Sequence, residues 1–243
     1  MSYTDMLAAF GIGSAHPGGF SKSRQMLMEM DISEQTVILD CGCGTGQTSA
    51  YIKQLFNCQI TAIEPHPLMA AKARKRFKEE WLNIPVLNKS IENSGLPSNQ
   101  FDYVICESVL SFVSLEEALG EIHRLLKPNG LLFANELSCL ELLSEGERAE
   151  IMSHYSFQTL NRFSDWAKIV ERSGFSQATM IEEVSAAELQ QDESDKGNDM
   201  IPSRDIPQHR FDQVSAHANM MQLYGHKIGH TLFKAKADSG KKE

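Results

Sequence analysis

The chain has 243 residues, 42% of them apolar and 23% charged, which suits one large α/β domain with a sizeable core and excludes wholesale disorder. With 32 acidic against 23 basic residues the net charge is −9, which repels a phosphate backbone and argues against a nucleic-acid partner. No apolar run reaches the roughly 18 residues of a membrane span, the first ten residues lack the pattern of a secretory leader, and five cysteines without framework spacing fit free thiols in a reducing cytoplasm.

Residues 1–20 read as a loop, because "GIGSAHPGGF" carries five glycines or prolines. "SKSRQMLMEM" then places Met26, Leu27 and Met30 on one side of a helix. From Thr36 the pattern alternates. "TVILD", "CQITAIE", "IPVLNKS", "FDYVICES" and "GLLFANEL" read as strands, separated by the helical runs "TSAYIKQLF", "LMAAKARKRFKEEW" and "SLEEALGEIHRLLKP". Such alternation predicts a parallel sheet, since parallel neighbours need a crossover, and the continuously apolar strands predict burial on both faces. The basic run Lys72 to Lys78 lies on one of these helices and reads as a solvated face.

Ser114 and Glu117 have capping-box spacing, and Pro128-Asn129-Gly130 stops the helix that follows. Ser164 is the expected cap of "DWAKIVERSG", which Gly174 ends. Two segments stand outside the alternation. Residues 138–162 read as helical. Residues 186–224 begin with a polar stretch, "LQQDESDKGNDMIPSRDIPQ", expected to be a mobile loop, and continue with Phe211, Val214, Ala218 and Met221 at helical spacing. "IGHTLFKAKA" reads as a last strand, ahead of a charged tail expected to be disordered.

"VILDCGCGTGQ" poses the functional question. Gly42, Gly44 and Gly46 follow an apolar strand and let a ligand touch the backbone at a helix N-terminus, where unpaired N–H groups favour an anionic group. A dinucleotide fingerprint needs glycine at position 47, which is Gln47, and no G-K-[ST] follows, so the spacing disfavours both a nicotinamide oxidoreductase and a P-loop. Asp40, immediately before the loop, suits a ligand that also bears a cation. Glu64 ends the second strand, 24 residues after Asp40, where an acid of a doubly wound fold reaches ribose hydroxyls. A nucleoside joined to a zwitterion, S-adenosylmethionine, meets all three demands.

Here the chain resembles the class I S-adenosylmethionine-dependent methyltransferases, the small-molecule set that includes quinone-biosynthesis enzymes. The resemblance rests on "VILDCGCGTGQ", "ITAIEPHPLMAAKAR", "LNKSIENSGLPSNQFDYVICESVLSFV" and "ALGEIHRLLKPNGLLFANE", and runs from Thr36 to Glu136. It implies a doubly wound, Rossmann-like, mostly parallel seven-stranded sheet with an antiparallel last strand and helical cap insertions. In this single methyltransferase domain of 1–243, residues 1–35 are an N-terminal lid and helix, 36–137 the cofactor-binding core, 138–162 and 186–224 the cap, and 225–236 the last strand. It also implies that Asp40, Gly42 and Gly44, with Cys43 and Gly46 beside them, line the methionine portion. Glu64 and Pro65 meet the ribose, Ser90 and Ile91 flank adenine, and Glu107 sits near the methionine ammonium. Ser90 stands where aspartate is common, and Asn129 replaces a usual glycine. His16 to Gly19, including Gly18 and Gly19, is a candidate lid, with a simple entry turn as the other reading.

Other groups point less directly. Cys41 and Cys43 alternate with glycines and have no partners to complete a metal site. His226 and His230 flank a strand entrance, where their spacing does not make a ligand pair; no metal is expected. Glu136, at the end of a strand, is a candidate substrate-facing acid, and His154, Tyr155 and His217 fall in the two extra segments as further catalytic candidates. Met220, Met221 and Phe211 fit either core packing or an acceptor pocket. Methyl transfer from a sulfonium needs alignment and exclusion of water more than a fixed catalytic signature. The absence of [DN]-P-P-[YF] and Pro-Cys motifs argues against nucleobase chemistry. The expectation is methylation of a small-molecule acceptor by a monomer or homodimer, with a non-catalytic cofactor-binding sensor or assembly protein as the alternative.

Overall fold

The computed structural model describes residues 2–176, 178–189 and 199–238. Among them are seven strands: β1 (Val37–Cys41), β2 (Gln59–Ile63), β3 (Val86–Leu87), β4 (Phe101–Glu107), β5 (Leu126–Cys139), β6 (Thr179–Ser185) and β7 (Ile228–Lys236). They form one sheet in the order β3-β2-β1-β4-β5-β7-β6. β1 to β5 pair in parallel, and β7 runs antiparallel to both β5 and β6. The doubly wound, mostly parallel sheet with a reversed last strand is therefore as expected.

Helices cover both faces, which is why the central strands are apolar throughout. On one side pack α2 (Gly19–Met28), α3 (Gln47–Phe56) and α4 (Pro67–Glu79); on the other, α5 (Leu115–Leu125) and α7 (Phe163–Arg172). The two-residue period of a strand divides the core between them. Ile38 joins Met26, Ile52 and Phe77 on the first side, while Leu39 joins Leu119, Ile122 and Trp166 on the second. A cap of α6 (Glu145–Tyr155) and α9 (Gln208–Tyr224) packs on Leu137, Cys139 and Ile228, beyond the carboxyl end of β5. A short α8 (Ala186–Leu189) follows β6.

The chain departs from the sequence reading at several points. Residues 3–10 form a helix, α1 (Tyr3–Phe10), capped by Ser2 and Asp5 in a reciprocal box. Eight residues make a marginal helix alone; this one stands because Met6, Leu7 and Phe10 bury against Met69 of α4. β6, "TMIEEVS", was not located from its pattern. It lies at the sheet edge, where charged side chains such as Glu182 and Glu183 replace an apolar run and discourage further pairing. Ser114 makes no side-chain cap; its N–H instead donates to Glu92 (3.1 Å). Ser164 falls inside α7, whose start is set by Asp165 accepting the N–H of Arg162 (3.2 Å). Residues 138–162 are not helical throughout, because β5 runs on to Cys139 and α6 begins only at Glu145. On α9, Val214 and Ala218 face solvent, Phe211 is half-exposed with its ring edge-on to Phe10 (5.0 Å), and the packed side is His217, Met220, Met221 and Tyr224. The polar loop expected over 189–208 lies outside the described residues from 190 to 198, as does the tail from 239; its remainder bridges back through Met200 to Ile12.

Gly46 shows how tightly the first side is filled. It caps α3 at φ +82°, and a Cβ there would stand 2.6 Å from the ring of Phe77. Gly46→Ala combines backbone strain with overpacking and is expected to cost about 2 kcal/mol of stability, measured by urea unfolding.

Candidate active site

The strand order reverses between β1 and β4, because the chain runs outward from β1 to β3 and returns on the other side. A crevice opens at the carboxyl ends there, the place where ligands bind in open α/β sheets. It holds a cavity of about 870 Å³, which is ample for a small-molecule site.

The bend after β1 forms its floor. The N–H groups of Gly42 and Cys43 both donate to Ile63 O (2.8 and 3.0 Å), stapling the bend to β2. The N–H of Gly44 donates to Glu64 Oε2 (2.9 Å), and that of His66 to Glu64 Oε1 (2.7 Å). Gly44 has φ +56°, and a Cβ there would meet nothing within 4 Å; its missing side chain leaves an open cradle against the cavity. Glu64 lines the cavity while both its oxygens are held by backbone, and burial pushes its carboxyl up to about 7 against those two hydrogen bonds.

Asp40 is almost wholly buried and accepts the hydroxyl of Ser49 (2.5 Å). Burial first, and then the charges of Glu107 and Glu64, push it up to about 7. Glu107, at the tip of β4, accepts the hydroxyls of Ser23 (2.6 Å) and Thr48 (2.8 Å), and His16 Nε2 lies 3.2 Å away. The Asn135 amide donates to His16 Nδ1 (3.2 Å), and His230 Nδ1 donates to Asn135 Oδ1 (3.0 Å). The N-terminal segment is thus tied by buried polar bonds to β4 and β5, and β7 holds the β5 partner in place.

Of the residues singled out in the sequence, Asp40, Gly42, Cys43, Gly44, Glu64, Pro65, Ser90, Glu107, Gly18 and Gly19 line this one cavity, as do Tyr155 and His217 of the cap. Four do not. Gly46 faces Phe77 instead. The Ile91 side chain is packed in the core beneath α5. Glu136 is wholly buried away from the cavity wall, where its carboxylate accepts the N–H groups of Val109 (2.9 Å), Leu110 (2.8 Å) and Ser111 (3.3 Å) and so holds the loop after β4. His154 lies behind Tyr155, with ring centroids 4.6 Å apart. Sequence reasoning missed Tyr3, Thr48, Phe112 and Phe157, which also line the cavity. The Ser2–Asp5 capping pattern was a signal for α1 and hence for Tyr3; the other three are placed by tertiary packing.

A seven-stranded sheet of this order, with a side-chain-free bend beside an acid at the next strand tip, defines a protein that holds a nucleoside-bearing cofactor. A family model described as "Methyltransferase domain" matches residues 39–134. Over 233 residues the chain is 36% identical to the uncharacterized methyltransferase YodH of Bacillus subtilis (strain 168), covering 96% of this chain and 98% of that protein. The fold is shared with phosphoethanolamine N-methyltransferase 2 of Haemonchus contortus in complex with S-adenosyl-L-methionine, at TM-score 0.74 and 20% identity. That match covers 97% of this chain but 57% of the Haemonchus chain, so this protein spans little more than half its length. A putative sarcosine dimethylglycine methyltransferase from Galdieria sulphuraria matches at TM-score 0.73 and 14% identity, over 90% of this chain and 86% of that one. The chain belongs to the class I S-adenosylmethionine-dependent methyltransferases. It is an enzyme of that family, and S-adenosylmethionine is its cofactor.

The cavity suits that molecule. Among the described residues its wall carries Asp40, Glu64, Glu92 and Glu107, while its one lysine, Lys22, is paired with Glu182 (2.6 Å). The surplus of carboxylates favours a ligand with an ammonium and a sulfonium. No described helix is long and apolar enough to cross a membrane.

Two outcomes are expected. Gly44→Val fills the cradle and strains a positive φ, so calorimetry should show at least about a tenfold loss of cofactor affinity, or about 1.4 kcal/mol. The second follows from Asp40 and Glu64, which both sit near 7 in the free protein. A cationic ligand favours their ionised forms and lowers both values on binding, so protons are released. Affinity should therefore rise from pH 6 to pH 8 and then level off, and calorimetry in buffers of different ionisation enthalpy should detect the protons.

Proposed function

We propose that this enzyme methylates a small organic acceptor enclosed between the carboxyl edge of the sheet and the cap of residues 138–162 and 186–224. The observation that carries this reading is the continuity of the cavity. One space runs from Gly44 and Glu64 to Tyr155, Phe157, His217 and Met221. Its cofactor end is acidic and polar, and its cap end is apolar and aromatic.

The residue roles follow from this layout and from the family resemblance. Asp40, Gly42 and Gly44 receive the methionine portion, and Glu107 lies beside its ammonium. Glu64, its carboxylate held by two N–H groups, accepts from the ribose hydroxyls. Ser90 and Pro65 border the adenosine. When bound, S-adenosylmethionine supplies a methyl group activated on a sulfonium. The chain's own contribution is alignment and dryness: His16 holds Gly18 and Gly19 against the site, and Leu137, Phe112 and Met221 exclude water from the acceptor. A fixed general base is not required unless the acceptor must lose its proton early.

The test uses methyl-labelled S-adenosylmethionine and a cell extract divided by ultrafiltration. Label is expected in a low-molecular-mass product of the filtrate. Label in retained protein or nucleic acid would overturn the acceptor class, and cofactor binding with no product in either fraction would favour a non-catalytic binder.

A further inference from the structure

We propose that the acceptor is a flat, formally uncharged molecule bearing a phenol-like or enol hydroxyl, and that this hydroxyl hydrogen-bonds to Tyr155 of a Tyr155–His217 pair at the cap end of the cavity. This rests on the methyltransferase reading above and names the substrate class of the same site.

The pair spans the two cap helices. Tyr155 ends α6 and His217 lies on α9, with Oη and Nδ1 3.0 Å apart, and both residues line the cavity. Its surroundings are aromatic. The ring of Tyr3 stands edge-on to Tyr155 at 4.9 Å, Phe157 stacks on Tyr155 at 5.1 Å, and Phe112 meets Phe157 at 4.8 Å. These rings occupy one another's faces. They make a wall against which a flat molecule can lie, rather than an open box around a cation.

Charge narrows the class. Among the described residues that line the cap end, from Tyr3 and Leu7 to Leu137, Phe157 and Met221, none carries a formal charge. A phosphate or carboxylate entering there would lose its hydration without a cationic partner. The Haemonchus and Galdieria proteins are named for acceptors that carry such groups, whereas the described residues that line this cap end offer them no cation. A cationic acceptor would face the sulfonium across a dry cavity, which is unfavourable at short range.

The pair itself is neutral and two-faced. Burial pushes the Tyr155 phenol up and pulls the His217 imidazole down. If Tyr155 donates to Nδ1, the lone pairs of Oη are left to accept a ligand hydroxyl. If Nδ1–H donates to Oη, the phenol proton is left to donate. Either tautomer meets a hydroxyl, which is itself both donor and acceptor. A buried polar pair inside an apolar wall discriminates strongly against ligands that cannot complete its hydrogen bonds.

The experiment uses the full chain saturated with S-adenosylhomocysteine and four probes: phenol, its hydroxyl-free counterpart toluene, dimethylglycine and phosphoethanolamine. Affinity is read by calorimetry, and the His217 ring nitrogens by nitrogen-15 NMR. Phenol is expected to bind at least about tenfold tighter than toluene and to shift the His217 resonances, while the two charged probes bind more weakly than either. Tyr155→Phe should erase the preference for phenol and leave S-adenosylhomocysteine affinity unchanged, which also shows that the variant is folded; His217→Gln, which keeps Oη and offers it an amide partner, should retain the preference. Tighter binding of either charged probe, no saturable binding of phenol, or a preference that survives in Tyr155→Phe would overturn the proposal and leave the methyltransferase reading intact. Failure of the unaltered protein to bind S-adenosylhomocysteine would overturn both.

Discussion

The site depends on one carboxylate. Glu64 accepts the N–H of Gly44 and the N–H of His66, and so ties the bend after β1 to the tip of β2. Each bond satisfies a backbone donor at a place where the chain leaves regular structure. Together they hold an acid inside a cavity wall at the cost of its ionisation, since burial lifts it toward neutrality. The same constraint recurs at Asp40, which has Ser49 as its hydrogen-bond donor and two other acids as neighbours. A site built from acids that resist ionising until a cation arrives is matched to a cationic cofactor.

A second set of buried polar bonds decides how the cofactor end is closed. His16 lies between Glu107 of β4 and Asn135 of β5, and Asn135 is held in turn by His230 of β7. The N-terminal segment is therefore fixed to two strands of the sheet, with a third behind them, rather than laid over it. It is also paired with the second insertion: Gly13 N–H donates to Asp199 O (2.8 Å) and Ile201 N–H to Gly11 O (2.9 Å), while Arg76 of α4 holds the Asp199 carboxylate (2.5 Å). Two segments far apart in the chain thus share one end of the cavity. Glu136 acts in the opposite sense to its expected role, serving as a purely internal acceptor that shapes the loop bearing Val109.

The two ends of the cavity are built by different means. The cofactor end is made by strand tips and a bend, whose geometry follows from the sheet. The other end, proposed above to receive the acceptor, is made by α1, α6 and α9, which pack on one another through side chains. Tyr155 and His217 meet 62 residues apart in the chain, and Tyr3 joins them from the N-terminus.

Much of the core was legible because local pattern and tertiary role coincide there. Continuous apolar strands, helical stripes and the glycine bend each state their own structure, and Asp40 and Glu64 stand at strand ends that the pattern locates. Where the reading failed, the cause was a partner distant in sequence. Ser114 was displaced as a cap by Glu92, β6 exchanges apolar pattern for edge charge, α1 needs Met69 to bury it, and Glu136 finds three backbone donors that no motif announces. By itself the sequence determined the sheet, the cofactor bend and the acids beside it, because these follow from periodicities and residue types over short spans. The tertiary structure alone decided which aromatic and polar side chains converge on the cap end of the cavity, because that convergence depends on how helices from opposite ends of the chain pack.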